Sequence, residues 1–314
     1  MEGFTLKRKL AELLQETTGS TFMNDRTTYD YLYAAINDFN FRTHYSTGTQ
    51  TISIIPGTAS YNLNPDYVAP HLTDDYNRPF FKWTYNGSDS FVYPMDYDTQ
   101  ILSDSTATSP VASNYSTVDA SPLSNLSGSA TIAGFTVNGE STLTDTTLSQ
   151  FSTVAVGDYI HDTTDGSDGV IMAVLSSTQI ATALFGGVAN QWNSGDNYII
   201  IPQQRYNIIF YPMPSASATA TIYYVKAPAP VYSPYRVYNL PFQYDDPIVE
   251  FAAFKYKYRD QEIQFGDALY QHYELAAKKF ASEMRKGIDK KQGFRCNFTK
   301  INPRSKSLGG FYRR

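Results

Sequence analysis

Apolar residues recur at helical spacing near both ends of the chain and at alternate positions in the segments just inside them. Leu6, Leu10, Leu13 and Leu14 fall on one helical face, with Thr5 placed to cap it and Gly19-Ser20 to break it. A second helix is expected from Thr27, where Thr27-x-x-Asp30 resembles a capping box, with a stripe of Tyr29, Leu32, Tyr33, Ile36 and Phe39. After Arg42 the period changes to two. Thr51–Ile55, a Pro56-Gly57 turn and Tyr61–Leu63 predict a β-hairpin. Tyr206–Tyr211 and Thr219–Val225 alternate around Pro212-Met213-Pro214 and predict another. A Pro/Tyr-rich crossover, Ala227–Pro241, leads to Asp246-Pro247, a strong helix start. Ile248, Phe251, Phe254, Lys255 and Tyr258 line that helix. A last helix runs to about Lys286, striped by Leu269, Tyr273, Ala276, Phe280 and Met284 and ended by Gly287.

The middle reads differently. Residues 99–128 form a nearly low-complexity Ser/Thr stretch, expected to be a loop or linker. Beyond Ala130, short strands are expected at Ile132–Val137, Val154–Ile160, Val170–Leu175, Gln179–Leu184 and Tyr198–Ile201, punctuated by Asp165-Gly166, Ser176-Ser177 and Gly195-Asp196. They suit a small antiparallel β domain or barrel. The fold class expected is therefore α+β: a discontinuous helical bundle from the N- and C-terminal segments, β-hairpins or sheet, and a large antiparallel β insertion. Its parts are a core of 1–82 and 205–286, a connecting segment 83–129, a β module 130–204 and a basic tail 287–314.

Charge sharpens this division. The 314 residues carry 25 basic and 30 acidic side chains, a net of −5, yet no Lys or Arg lies between Lys82 and Arg205 while twelve acids do. From Arg285 to Arg314 there are ten basic residues and one acid, Asp289, which leaves residues 1–284 at −14. An acid-only region suggests a surface that avoids polyanions, or simply a soluble module. The lone Cys296 excludes an intrachain disulfide framework and a multi-cysteine metal site. The N-terminus carries no secretory signal pattern, and no apolar run approaches membrane-spanning length, so folding in the cytosol is expected.

Catalytic motifs are missing: there is no phosphate-binding glycine loop, no H-E-x-x-H and no G-x-S-x-G. His44, His71, His161 and His272 lie in separate segments and form no ligand pair in the sequence. Asp158, Asp162, Asp165 and Asp168 cluster around Asp165-Gly166 without the ligand spacing of a calcium loop, so a turn with solvated aspartates is the better reading, although cation binding by Asp162, Asp165 and Asp168 stays open. No catalytic, cofactor or metal residues are assigned. The tail carries the strongest signal. Arg285, Lys286, Lys290, Lys291, Arg295, Lys300, Arg304, Lys306, Arg313 and Arg314 alternate with Phe294, Phe298, Phe311 and Tyr312. Such a segment suits docking on an acidic protein groove better than on DNA, which the rest of the chain at −14 would repel.

One succession of segments resembles a known family. Phe22-Met-Asn-Asp25 leads into Ala34-Ala-Ile-Asn-Asp38; then come Thr51–Gly57 and Tyr61-Asn-Leu63; Arg205–Pro214 precedes Thr219–Tyr224; and Asn239–Pro247 precedes the two final helices. Their order is similar to that of the head-to-tail adaptor (connector) proteins of tailed bacteriophages, over about 4–70 and 205–286. The region from Phe151 to Tyr198 is similar to small β modules of phage structural proteins. The resemblance implies a non-enzymatic virion protein at the head–tail junction: a homo-oligomeric ring, usually of twelve copies, below the portal. It implies a DNA channel continued through the ring without specific binding, a platform for the next tail or neck protein, no membrane and no cofactor. It also assigns the C-terminal segment from Arg285 onward to portal docking. The alternative is a tail-associated host-surface or glycan-binding protein using the β module, and a carboxylate-based hydrolase comes third.

Overall fold

The computed structural model describes residues 2–18, 20–71, 79–96, 106–121, 123–237 and 244–292, with side chains described as far as Glu283 in the last span. Helix α1 (Gly3–Leu14) buries Leu6, Leu10 and Leu14. It starts earlier than the expected Thr5 cap. Gly3 N and Phe4 N donate to Arg236 O and Pro234 O at 3.1 and 2.7 Å, so a distant backbone segment takes amides that a local cap would serve. Helix α2 (Asp25–Thr43) is capped by Asn24, whose side chain accepts from Thr27 N at 2.8 Å; Thr27 is inside the helix and is not its cap. Helix α3 (Asp245–Arg259) is entered from Tyr244 with Asp245 and Asp246 in the first turn, where carboxylates complement the helix dipole. It buries Tyr256 and leaves the expected Tyr258 at 43% exposure.

Helix α4 (Ile263–Gln292) corrects the expected end at Gly287, since it passes through that glycine to Gln292. Leu269, Tyr273, Ala277 and Phe280 face the core, Ala277 replacing the expected Ala276. All four helices contribute to one apolar cluster, which also takes in Val231 and Tyr232 of the crossover.

The strands in the first part of the chain are β1 (Thr47–Ile54), β2 (Ser60–Asn62), β3 (Tyr67–Pro70), β4 (Phe81–Tyr85), β5 (Ser88–Pro94), β6 (Thr108–Ser109) and β7 (Asn114–Asp119). Then come β8 (Leu126–Ser129), β9 (Thr136–Val137), β10 (Glu140–Thr144), β11 (Tyr159–Asp162), β12 (Ser167–Ser176), β13 (Gln179–Phe185) and β14 (Asn197–Ile201). The last are β15 (Tyr206–Tyr211), β16 (Met213–Pro214) and β17 (Ala218–Lys226). With its helices and two large sheets the chain is an α+β protein.

The first sheet runs β1-β17-β4-β5-β7-β15-β2, with β3 also on β17. Neither expected hairpin forms. β1 pairs with β17 and β2 with β15, so the two halves exchange partners. The turns themselves hold and meet, Gly57 N donating to Pro214 O at 2.8 Å. Alternation fixes which face of a strand is buried but not which strand lies beside it. The 83–129 segment is not a connector: β4 and β5 form a hairpin over Asn86-Gly87, and β7 lies between β5 and β15. Phe81, Trp83, Val92 and Tyr115 are core residues of this sheet.

The second sheet, β8-β14-β11-β12-β13-β10-β9, starts at Leu126, well inside the acid-only region. After β8 the chain bends across: Ala130 N donates to Asp196 O, and Thr131 N to Thr144 O of β10. Residues 126–132 thereby bridge the two sides of the sheet around Phe151, Trp192, Tyr198 and Ile200. Its outer face is packed as well, because Val170, Met172 and Ala183 belong to the helical cluster.

Candidate functional site

At 1.5 Å per residue, the 30 residues of α4 span about 45 Å. Phe39 of α2 is the hub that holds this helix, with ring centroids 5.4 Å from Phe280, 5.6 Å from Tyr244 and 6.4 Å from Tyr273. Arg42 adds a polar clamp. Its Nε donates to Asp38 at 2.6 Å, its Nη1 to Glu274 at 3.3 Å and its Nη2 to the Tyr270 hydroxyl at 2.9 Å. The Tyr273 hydroxyl donates to the same Asp38 at 2.5 Å, and burial reinforced by that carboxylate pushes its pKa far up. Neither Phe39 nor Arg42 was singled out as a positioning residue in the sequence, although Phe39 closed the α2 stripe. Of the expected docking residues, Arg285, Lys286, Lys290 and Lys291 are carried on α4 itself. Phe294, Arg295, Phe298, Lys300, Arg304, Lys306, Phe311, Tyr312, Arg313 and Arg314 lie outside the described residues.

The acids of the β module are mostly structural. Of the seven between 126 and 204, Asp145, Asp158, Asp162 and Asp196 are buried and only Asp168 is exposed. Asp158 accepts both contacts of Arg205 Nη2, at 3.0 and 2.8 Å, and the Ala155 and Gln203 amides. Asp145 binds Thr147, Leu148 N and the Tyr198 hydroxyl; burial raises its pKa, but these bonds outweigh it and hold the carboxyl below its ordinary value. Asp165 accepts the Val188, Ala189 and Asn190 amides, with Ala189 foremost in holding its pKa down. The acid-only composition therefore reflects turn building more than a polyanionic face. Asp162, Asp165 and Asp168 engage three different partners, and among the described residues no three His, Cys, Asp or Glu side chains converge on a metal position.

Asp162 stands apart. Its Oδ1 accepts the Thr164 and Asp165 amides at 2.9 and 3.0 Å, while its buried Oδ2 has no partner. Burial raises its pKa, the two amides oppose this, and Asp196 and Asp165 add to it. A raised folded-state pKa gives stability that is complete below the unfolded value and is lost as pH rises through the folded one. Asp162→Asn keeps the amide acceptor and removes the buried charge. The variant is expected to unfold at a higher temperature than the parent at pH 7, with the difference closing below pH 4. A lower melting temperature at pH 7 in a calorimetric pH series would refute this.

Folding brings together two histidines that the sequence kept apart, with the rings of His44 and His71 6.4 Å between centroids. Burial, and then His44, lower the pKa of His71. His161 pairs instead with Asp168, Nδ1 to Oδ1 2.8 Å. That pair borders a hollow of about 390 Å³ between the β module and α2, whose walls include Tyr159, Phe185, Ile201 and Arg26. A second hollow of about 480 Å³ shares Arg26 and Tyr159 and continues past Tyr33, Asn37 and Gln203. Both volumes lie in the range of ligand clefts. No local motif marks this groove, because its walls come from five separate parts of the chain.

No family model and no curated protein matches this sequence.

Proposed function

We propose that this protein is a head-to-tail adaptor of a tailed bacteriophage, a structural ring protein whose C-terminal segment docks into the portal. The observation that carries this reading is the route of the C-terminus. The final helix is clamped by α2 and α3, and it leads straight into a segment dense in basic and aromatic residues. Four of the assigned basic residues, Arg285, Lys286, Lys290 and Lys291, lie along the helix itself. The finer architecture suits the role: helices from both chain ends close one body, and the sheets between them provide surfaces for ring neighbours and the next tail component. Heterologous contacts of one chain type close into rings. Many tails acting together give avidity that one lacks. The burial of most module acids removes the ground for an acid-lined, DNA-repelling face on that module.

Deleting 293–314 leaves α4 intact and removes the tail. The full chain is expected to co-purify with the portal protein of the same phage, and the deletion to abolish this. The complex is also expected to weaken as ionic strength rises. Retention of portal binding by the deletion variant would overturn the docking assignment.

A further inference from the structure

The two ends of the first sheet, β1 and β2, face each other across a seam that no backbone ladder closes. Lys226 N donates to Ser46 O at 2.9 Å, which sets the parity of the ladder with β17: the even residues of β1 bond across it. The peptide groups of Thr49, Thr51 and Ser53 therefore point the other way, and among the described residues no strand pairs with them. All three residues are exposed. A strand of eight residues with an open edge is a template for another strand. Side chains bridge the seam instead. Gln50 Nε2 donates to Asn62 O at 3.0 Å, and Gln50 Oε1 accepts from Asn64 N at 2.9 Å. Leu63 N bonds to Tyr206 O, so the even residues Asn62 and Asn64 present those groups on the outer edge of β2. One carboxamide thus makes the two bonds that a residue of an adjacent parallel strand would make. The Tyr61 hydroxyl does likewise for Ile55, accepting from its N at 2.8 Å.

The chain itself carries a strand for this edge. Phe294, Cys296 and Phe298 alternate with Arg295, Asn297 and Thr299, and Ile301 follows before Pro303. This is the period-two pattern of a strand with one apolar face, and residues 294–301 match the eight of β1 in length. We propose that residues 294–301 of one copy add as a strand to the open edge of β1 in the next copy, displacing the Gln50 bridge. Their apolar face then lies on the core side beside Ile52 and Ile54, and Arg295, Asn297 and Thr299 lie outside beside Thr49, Thr51 and Ser53. Neither β1 nor β2 contains a charged residue, so Arg295 meets no cation there. Only Gly293 separates Phe294 from α4. That helix packs into the helical cluster, while β1 packs into the cluster of the first sheet, so the segment is delivered to a neighbour. Such a contact is heterologous, the kind that closes rings, and it rests on the ring reading given above. Pro303 ends the strand and leaves Arg304, Lys306, Arg313 and Arg314 for the portal.

Hydrogen exchange of the full-length protein, followed by mass spectrometry, is the test. In the assembled protein the stretch Thr47–Ile55 is expected to exchange roughly tenfold more slowly than after dilution to single copies. Asn297→Pro breaks the added strand, leaves β1 itself unaltered and is expected to remove this protection. Gln50→Cys identifies the partner. Under mild oxidation it is expected to form a disulfide with Cys296, the single native cysteine, that joins two copies and is lost when Asn297→Pro is added. Absence of concentration-dependent protection at β1, or protection that Asn297→Pro leaves intact, would overturn the proposal. So would a disulfide closed within one copy, or one joining two copies through position 50 alone, which would make the interface β1 against β1. Neither readout involves the portal. Portal binding that persists without them would refute the strand addition and leave the adaptor reading standing, and protection without portal binding would do the reverse.

Discussion

Arg205→Ala is expected to lower the stability of the chain by about 3–5 kcal/mol, the usual consequence of removing one partner from a buried ion pair. Asp158 is fully buried, and Arg205 at the exit from the β module is the basic group that answers it. Without the guanidinium, the two backbone amides remain but the charge has no counterpart. Tryptophan fluorescence offers a local readout. The two tryptophans are Trp83 in the first sheet and Trp192 in the module core, so a Trp83→Phe background reports on the module. In that background, urea unfolding followed at Trp192 should shift to lower denaturant in Arg205→Ala. Asp158→Asn combined with Arg205→Met should recover part of the loss, because no buried charge is then left unpaired. A change below about 1 kcal/mol for Arg205→Ala would show that solvent reaches Asp158 and screens it.

Phe39→Ala carries a comparable expected loss, about 3–5 kcal/mol, with a different spatial signature. Phe39 is fully buried and touches rings from the α3 entry and from α4. Removing it opens a cavity where three helical segments meet, and α4 loses its central apolar contact. Amide hydrogen exchange in α4 should accelerate more than in the module core around Trp192. Leu275→Ala on the exposed face of the same helix, where the side chain is 65% accessible, is the control and should change stability little. Uniform acceleration throughout the molecule would mean that α4 is not an independently loosened unit.

The sequence made the helices legible because they bury one face. Leu6, Leu10, Leu32, Ile36, Tyr273 and Phe280 are all core residues. Helix starts were harder to read. α1 uses the distant carbonyls of Pro234 and Arg236, and α2 uses Asn24 and not the Thr27 box. Strands β12, β13 and β14 were visible through alternation and their turns, and Gly166 and Gly195 indeed occupy left-handed backbone at φ +74 and +96. β7 and β10 were hidden, because Asn114–Asp119 and Glu140–Thr144 are built largely of Ser, Thr and other polar residues around single large apolar anchors, Tyr115 and Leu143. The groove was not legible at all. Arg26, Tyr159 and Phe185 converge only through tertiary packing, and a pattern read along the chain carries no such neighbourhood.

The exchanged partners of the two expected hairpins set an order of assembly. β1 must wait for β17, whose first residue, Ala218, pairs with Ile54 and whose Val225 pairs with Thr47. During synthesis the N-terminal strands therefore leave the ribosome long before their ladder exists. Residues 126–201, whose strands pair among themselves, can close first. Closure of that unit draws residues 123 and 205 toward each other and shortens the effective loop between β1 and β17, lowering the entropy cost of the last pairing. In kinetic terms the sheet of residues 126–201 is then a folding clasp for the sheet whose strands precede and follow it in the chain.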